Sequence, residues 1–232
     1  MSMHANAGTG ISHRTVEELG GEASVLTRQR RDHAEMNRLM DRHQSLPDGP
    51  ERECTLKQLI QLVFSHAFAE ETVLWPAVRR RVTGGEELTA QVEDEHQQIN
   101  DLTTDIERLR PGDPEREEKI RRVFSLIRQD IRDEEDELLP RLQNAIDTLA
   151  LRRLGAAWET VRKSAPTHPH PAVPRRPPGN ALLGVPLSGY DRLRDALDPS
   201  TSAAVSKAKV ITVASVLLSA AATIALVRRR WR

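Results

Sequence analysis

Two stretches of this chain repeat one another, and that repeat limits the fold more than any other feature. Displacing the sequence by 64 residues places His66 on Asp130, Glu70 on Glu134, Glu71 on Glu135, Leu74 on Leu138 and Pro76 on Pro140. A displacement of 63 places Asp32 on Glu95, His33 on His96, Met36 on Ile99, Asn37 on Asn100 and Leu39 on Leu102. The chain therefore carries two copies of one hairpin, each with a histidine segment followed by a segment of pattern His/Asp-x-x-x-Glu.

Each copy reads as a pair of helices. Apolar residues recur at three- and four-residue steps, as in Leu59, Val63, Ala67 and Leu74, the period of one helix face. Four such segments run over about 15–46, 51–81, 86–109 and 115–149. Breakers divide them at Leu46-Pro47-Asp48-Gly49-Pro50, at Thr83-Gly84-Gly85 and at Arg110-Pro111-Gly112-Asp113-Pro114. Short breakers between long amphipathic helices make successive helices antiparallel. The expected fold is all-α, an up-down-up-down four-helix bundle over residues 15–162. A shorter helix over 151–162 packs outside it. Residues 1–14 read as a disordered lead-in.

Positions i and i+4 share a helix face, so His66 and Glu70 point together. They lie on the apolar stripe of Leu59, Val63 and Leu74, as Asp130 and Glu134 lie with Val123, Ile127 and Leu138. His96 falls between Val92 and Ile99, and His33 between Gln29 and Met36. Every helix thus pushes a histidine or carboxylate into the core near its middle. Unpaired buried carboxylates cost several kcal/mol or shift their pKa. A convergence of His33, His66, Glu70, His96, Asp130 and Glu134 calls for positive charge, which a divalent or trivalent metal pair supplies. Asn37 and Asn100, four residues after the histidines, are candidates to orient the rings. The run Asp133 to Glu137 reads as a solvated face apart from Glu134, and His43, at the end of the first helix, as exposed.

These motifs resemble the hemerythrin-like HHE cation-binding family, in particular its actinobacterial members. Asp32-His33, His66 to Pro76, Glu95-His96 and Glu134 to Pro140 carry the likeness, which covers about residues 15–148. The resemblance implies a non-haem di-iron centre whose ligands include His33, His66, Glu70, His96 and Glu134, with the two glutamates bridging. It also implies O2, peroxide or a related small oxidant as the ligand. Where the family has a histidine opening the fourth-helix motif, this chain has Asp130. Three histidines and three carboxylates form a harder donor set that favours ferric iron and reduction of an oxidant over reversible O2 carriage. An iron or oxygen sensor without turnover, and a degenerate metal-free bundle, remain alternatives. Manganese has overlapping ligand preferences.

The rest of the chain differs in charge. From Lys163 onward 11 basic residues face three acidic ones, +8, leaving −8 on the first 162 residues. An acidic body does not suit nucleic acid, and a basic tail suits an anionic membrane surface. Residues 163–206 contain a proline-rich linker and a short amphipathic segment, Leu182 to Leu197. Val210 to Val227 holds 18 residues without a charge, about 27 Å as a helix. Lys207 and Lys209 precede it and Arg228, Arg229, Arg230 and Arg232 follow, so residues 207–232 read as a single hydrophobic helix anchoring the protein in a membrane. With no apolar leader at the N-terminus, the bundle is expected on the cytoplasmic side. The one cysteine, Cys54, rules out a disulfide within the chain and a Cys-based metal site. No glycine-rich phosphate loop or C-x-x-C-H motif points to nucleotide, flavin or haem.

Overall fold

The computed structural model describes residues 10–163 and residue 165. Among them the chain is helical, without strands. The helices are α1 (Val25–Ser45), α2 (Pro50–Ala69), α3 (Trp75–Arg81), α4 (Gly85–Arg108), α5 (Pro114–Asp133), α6 (Leu139–Ala145) and α7 (Thr148–Lys163). A π-helical segment, Glu70–Leu74, joins α2 to α3, and a second, Glu134–Leu138, joins α5 to α6. Four long rods result, packed as antiparallel neighbours, with α7 lying against α1 and α2.

Local chemistry sets the ends of these rods. α1 begins at Val25, not near residue 15, because Gly20 and Gly21 adopt φ of 94° and 93°, which only glycine tolerates without cost. Ser24 then caps the helix, its hydroxyl accepting from the Leu26 amide. The fourth rod stops at Ala145, short of the expected 149. There Ile146 turns extended, and Asp147 accepts from the Ala150 amide at 2.7 Å to start α7. Pro50 and Pro114 occupy the first turns of α2 and α5, where no amide donor is needed. Within the stretch expected as a lead-in, residues 11–13 form a short 3₁₀ turn (Ile11–His13) and Ile11 is fully buried.

Both π segments precede a proline. A proline inside a helix lacks a donor, and its ring crowds the carbonyl four residues back. Ahead of Pro76 and Pro140 the backbone widens instead: the Trp75 amide bonds the Glu70 carbonyl, and the Leu139 amide bonds that of Glu134, each five residues back. Such single π turns are frequent at functional sites. Here both start on a glutamate of the converging set.

The core divides into two apolar clusters. One gathers Met36, Leu39, Met40, Leu59, Phe124 and Ile127 with their neighbours, and the other gathers Leu26, Leu74, Trp75, Val78, Leu139 and Trp158 with theirs. His43 is 1% exposed, against expectation, and its ring meets Phe124 edge-on. It lies on the same face as Leu39 and Met40, which carries it inward. The proline-rich linker, the segment 182–197 and the hydrophobic stretch 210–227 lie outside the described residues. Within those described, no helix is long and apolar enough to cross a membrane.

Candidate metal centre

The polar groups occupy the layer between the two apolar clusters. α1 supplies His33, α2 His66, the first π segment Glu70, α4 His96, α5 Asp130 and the second π segment Glu134. All six are buried, from 0% exposure for Glu70 and Glu134 to 9% for Asp130. His33 Nε2 stands 3.1 Å from His66 Nε2 and 3.2 Å from Glu134 Oε2, and His66 Nε2 stands 3.0 Å from Glu70 Oε1. His96 Nε2 lies 3.6 Å from Glu70 Oε2 and 3.7 Å from Asp130 Oδ1. Two groups able to hold a metal ion follow: His33, His66, Glu70 and Glu134 in one, and His96, Asp130 and Glu134 in the other. Glu134 belongs to both. Glu70 faces one histidine of each group with a different oxygen.

A second ring of carboxylates holds the imidazoles from behind. His33 Nδ1 meets Glu135 Oε1 at 2.9 Å, His96 Nδ1 meets Glu71 Oε1 at 2.9 Å, and His66 Nδ1 meets Asp32 Oδ2 at 3.2 Å. A carboxylate accepting from Nδ1–H fixes the tautomer that leaves Nε2 free to bind a cation, and sets the ring plane. The π turns make this arrangement possible. Glu70 and Glu71 are consecutive yet both buried, at 0% and 2%; one faces the centre and the other the ring behind it. Glu134 and Glu135 repeat the division in the second half.

The electrostatics describe a site short of positive charge. Burial alone lowers an imidazolium's pKa, but Glu134 and Glu135 outweigh it and raise His33 to about 10. Burial opposes the shift at His66 too, where the charge of Glu70 and the bond to Asp32 raise it to about 9. His96 rises well above its ordinary value, against burial, through Asp130 and Glu71. Burial, with the charges of Glu70 and Asp130, pushes Glu134 up to about 8. At Glu70 burial works upward, but the three histidines hold the group below the usual carboxylate range. Protons and cations compete for this layer, since either offsets its carboxylate charge.

The donor atoms fit a metal. Both carboxylate oxygens of Glu70 and of Glu134, and Oδ1 of Asp130, are buried, and those with a close polar neighbour face only the Nε2 atoms of the three histidines; with each ring proton on Nδ1, nothing but a cation can satisfy them. Ligands at right angles on an octahedral ion, with bonds of about 2.1 Å, stand about 3 Å apart. The contacts of the first group, 3.0 to 3.2 Å, have that spacing. Nitrogen and carboxylate donors in a dry layer suit iron, manganese or zinc better than calcium.

All six residues singled out in the sequence come together, Asp130 included. The ring behind them was not foreseen: Asp32, Glu71 and Glu135 take the place expected of Asn37 and Asn100. Asn100 is buried, but its carbonyl oxygen has no hydrogen bond. The signal was present, since the Glu-Glu pair and the acid before each histidine both recur in the repeat. Glu95, the repeat counterpart of Asp32, lies near Asp130; burial, Asp130 and Asp133 raise its carboxyl to about 7.

Comparison with known proteins agrees with this geometry. Residues 24–142 match the model of the hemerythrin HHE cation binding domain. An uncharacterized hemerythrin-like protein of Schizosaccharomyces pombe is 22% identical over 142 residues, 61% of this chain and 70% of that protein. A protein of Nostoc sp. described as a DNA nickase is 28% identical over 136 residues, 59% of this chain but 37% of the relative. No solved structure matches significantly.

Proposed function

Because the chain belongs to the hemerythrin HHE cation-binding family, we propose that its bundle holds a pair of non-haem irons and reacts there with O2, peroxide or a related small oxidant. One observation carries this reading: two donor groups meet in one buried layer, share Glu134, and are spanned by the two oxygens of Glu70. When bound, iron supplies the electrons that reduce the oxidant. His33, His66 and His96 present Nε2 to the ions while Asp32, Glu71 and Glu135 hold their Nδ1 protons. Glu70, Glu134 and Asp130 would offset part of the charge of two cations held between them. The apolar clusters on either side keep bulk water out, which strengthens every charge interaction within the layer.

Asp130 gives this chain its own bias. An anionic oxygen donor where the family pattern has an imidazole stabilises the ferric state, so the centre favours reduction of its oxidant over reversible O2 carriage. We place the bundle on the cytoplasmic face of a membrane, tethered through residues 207–232; hydropathy and flanking charge in the sequence support this tether.

The test is the metal content of protein purified from iron-replete cells, read with its near-ultraviolet absorption. About two irons per chain with a ferric charge-transfer band, both much reduced in Glu70→Ala, is the expected result. Protein that takes up no metal after anaerobic ferrous reconstitution refutes the reading.

A further inference from the structure

The family match ends at residue 142, but the surroundings of the centre continue past it. α7 lies across α1, α2 and the first π segment. Its Trp158, 1% exposed, sets its ring edge-on to the His66 imidazole, with centroids 5.5 Å apart and planes at 82°. One turn later the Arg162 guanidinium sits over the Trp158 ring, 5.3 Å from its centroid. Arg162 Nη1 is 3.6 Å from Asp32 Oδ2, the oxygen that lies 3.2 Å from His66 Nδ1.

We propose that α7 is part of the metal centre, with Arg162 and Trp158 as positioning residues that fix His66 for metal binding in the first donor group. This rests on the reading of the layer as a metal centre. An imidazole ligand must be held in tautomer and in ring plane. Asp32 sets the tautomer, and the Trp158 ring, packed at 82° to the imidazole, blocks its rotation. Asp32 is held differently from the other backing carboxylates. Glu71 and Glu135 are fixed in the π segments, whereas Asp32 stands on a regular turn of α1; its side chain is 15% exposed, much like the 12% of Glu135, and it has the Arg162 guanidinium beside it. Without Arg162 it can turn to solvent and release His66. The arrangement exists in one half of the repeat only, because the counterpart of His66 is Asp130, which needs no tautomer set.

α7 also buries Leu151 and closes one apolar cluster, so a purely structural role must be separated from a positioning one. The full chain and its variants Arg162→Gln, Asp32→Ala and the double variant are titrated anaerobically with Co(II), read by visible absorption, with thermal midpoints of the metal-free proteins alongside. Arg162→Gln is expected to weaken one of two binding steps about 10-fold and leave the other nearly unchanged. Added to Asp32→Ala, it has little further effect, because it acts through that carboxylate. In a parallel titration Trp158→Phe removes most of the metal-dependent change in tryptophan fluorescence. The proposal is overturned if both steps weaken together, if neither changes, if the two substitutions are additive, or if fluorescence responds equally without Trp158. Wild-type protein that binds no cobalt overturns the reading of the centre and this inference with it, whereas normal binding with an inert Arg162 overturns only the inference.

Discussion

His33, His66 and Glu134 hold their protons to about 10, 9 and 8 in the folded chain, against about 6.5 for an unfolded histidine and about 4.3 for a glutamate. Between pH 6 and 9 the folded metal-free protein therefore carries more protons than the unfolded one, so its stability falls as pH rises. A bound cation replaces those protons, so metal affinity rises over the same range with proton release. Thermal midpoints at pH 6 and pH 9 check this: the chelated protein should lose stability with pH while the loaded one changes less. A chelated midpoint that climbs with pH would contradict the cause assigned to the shifts. Asp130 makes a separate prediction. Asp130→His restores the nitrogen donor of the repeat and should lengthen the life of the ferrous protein in air, followed by its absorption; an unchanged rate means that residue 130 does not touch the ions.

Elements decide where these side chains point, and the two π turns do most of that work. Replacing Pro76 and Pro140 by alanine restores two amide donors and removes the rings that the π turns accommodate, so a regular helix becomes open to the backbone. With that constraint gone, a regular helix turns Glu70 and Glu71, or Glu134 and Glu135, away from their separate tasks. The double variant should therefore bind metal about 10-fold more weakly or worse, read by anaerobic metal titration; unchanged or tighter binding would show that the π turns are incidental. The helices themselves were legible in the sequence, because periodicity and the proline-glycine breakers act locally. So were the six converging residues, through their place on the apolar stripe and the repeat. The π turns were not, although Pro76 and Pro140 recur in the repeat: a proline announces that a helix must adjust, but not whether it kinks, ends or widens. Asp32, Glu71 and Glu135 escaped with them, since which of two adjacent acids faces inward depends on that widening. The late start of α1 was signalled by Gly20-Gly21 and masked by the apolar residues around it.

At the scale of the molecule, the layer of charge between two apolar clusters is reached from every rod, and α7 closes it from outside. Gly155 shows how closely: a Cβ there would lie 2.1 Å from the Ala23 carbonyl oxygen and 2.9 Å from the Val25 nitrogen. Backbone atoms cannot yield as a flexible side chain can, so Gly155→Ala should move α7 outward. The expected cost is about 1–3 kcal/mol, read as a lower thermal midpoint of the full chain; an unchanged midpoint would mean that α7 docks loosely. The repeat has its own reach at this scale. The first donor group takes His33, His66 and Glu70 from one hairpin and Glu134 from the other, and His96 faces Glu70 across the same divide. Neither hairpin owns a complete site. A cation held there is a rivet between two halves that the polypeptide joins only through the short turn at residues 82–84, so a chain cut at that turn should stay together when loaded and come apart far more readily once the metal is withdrawn.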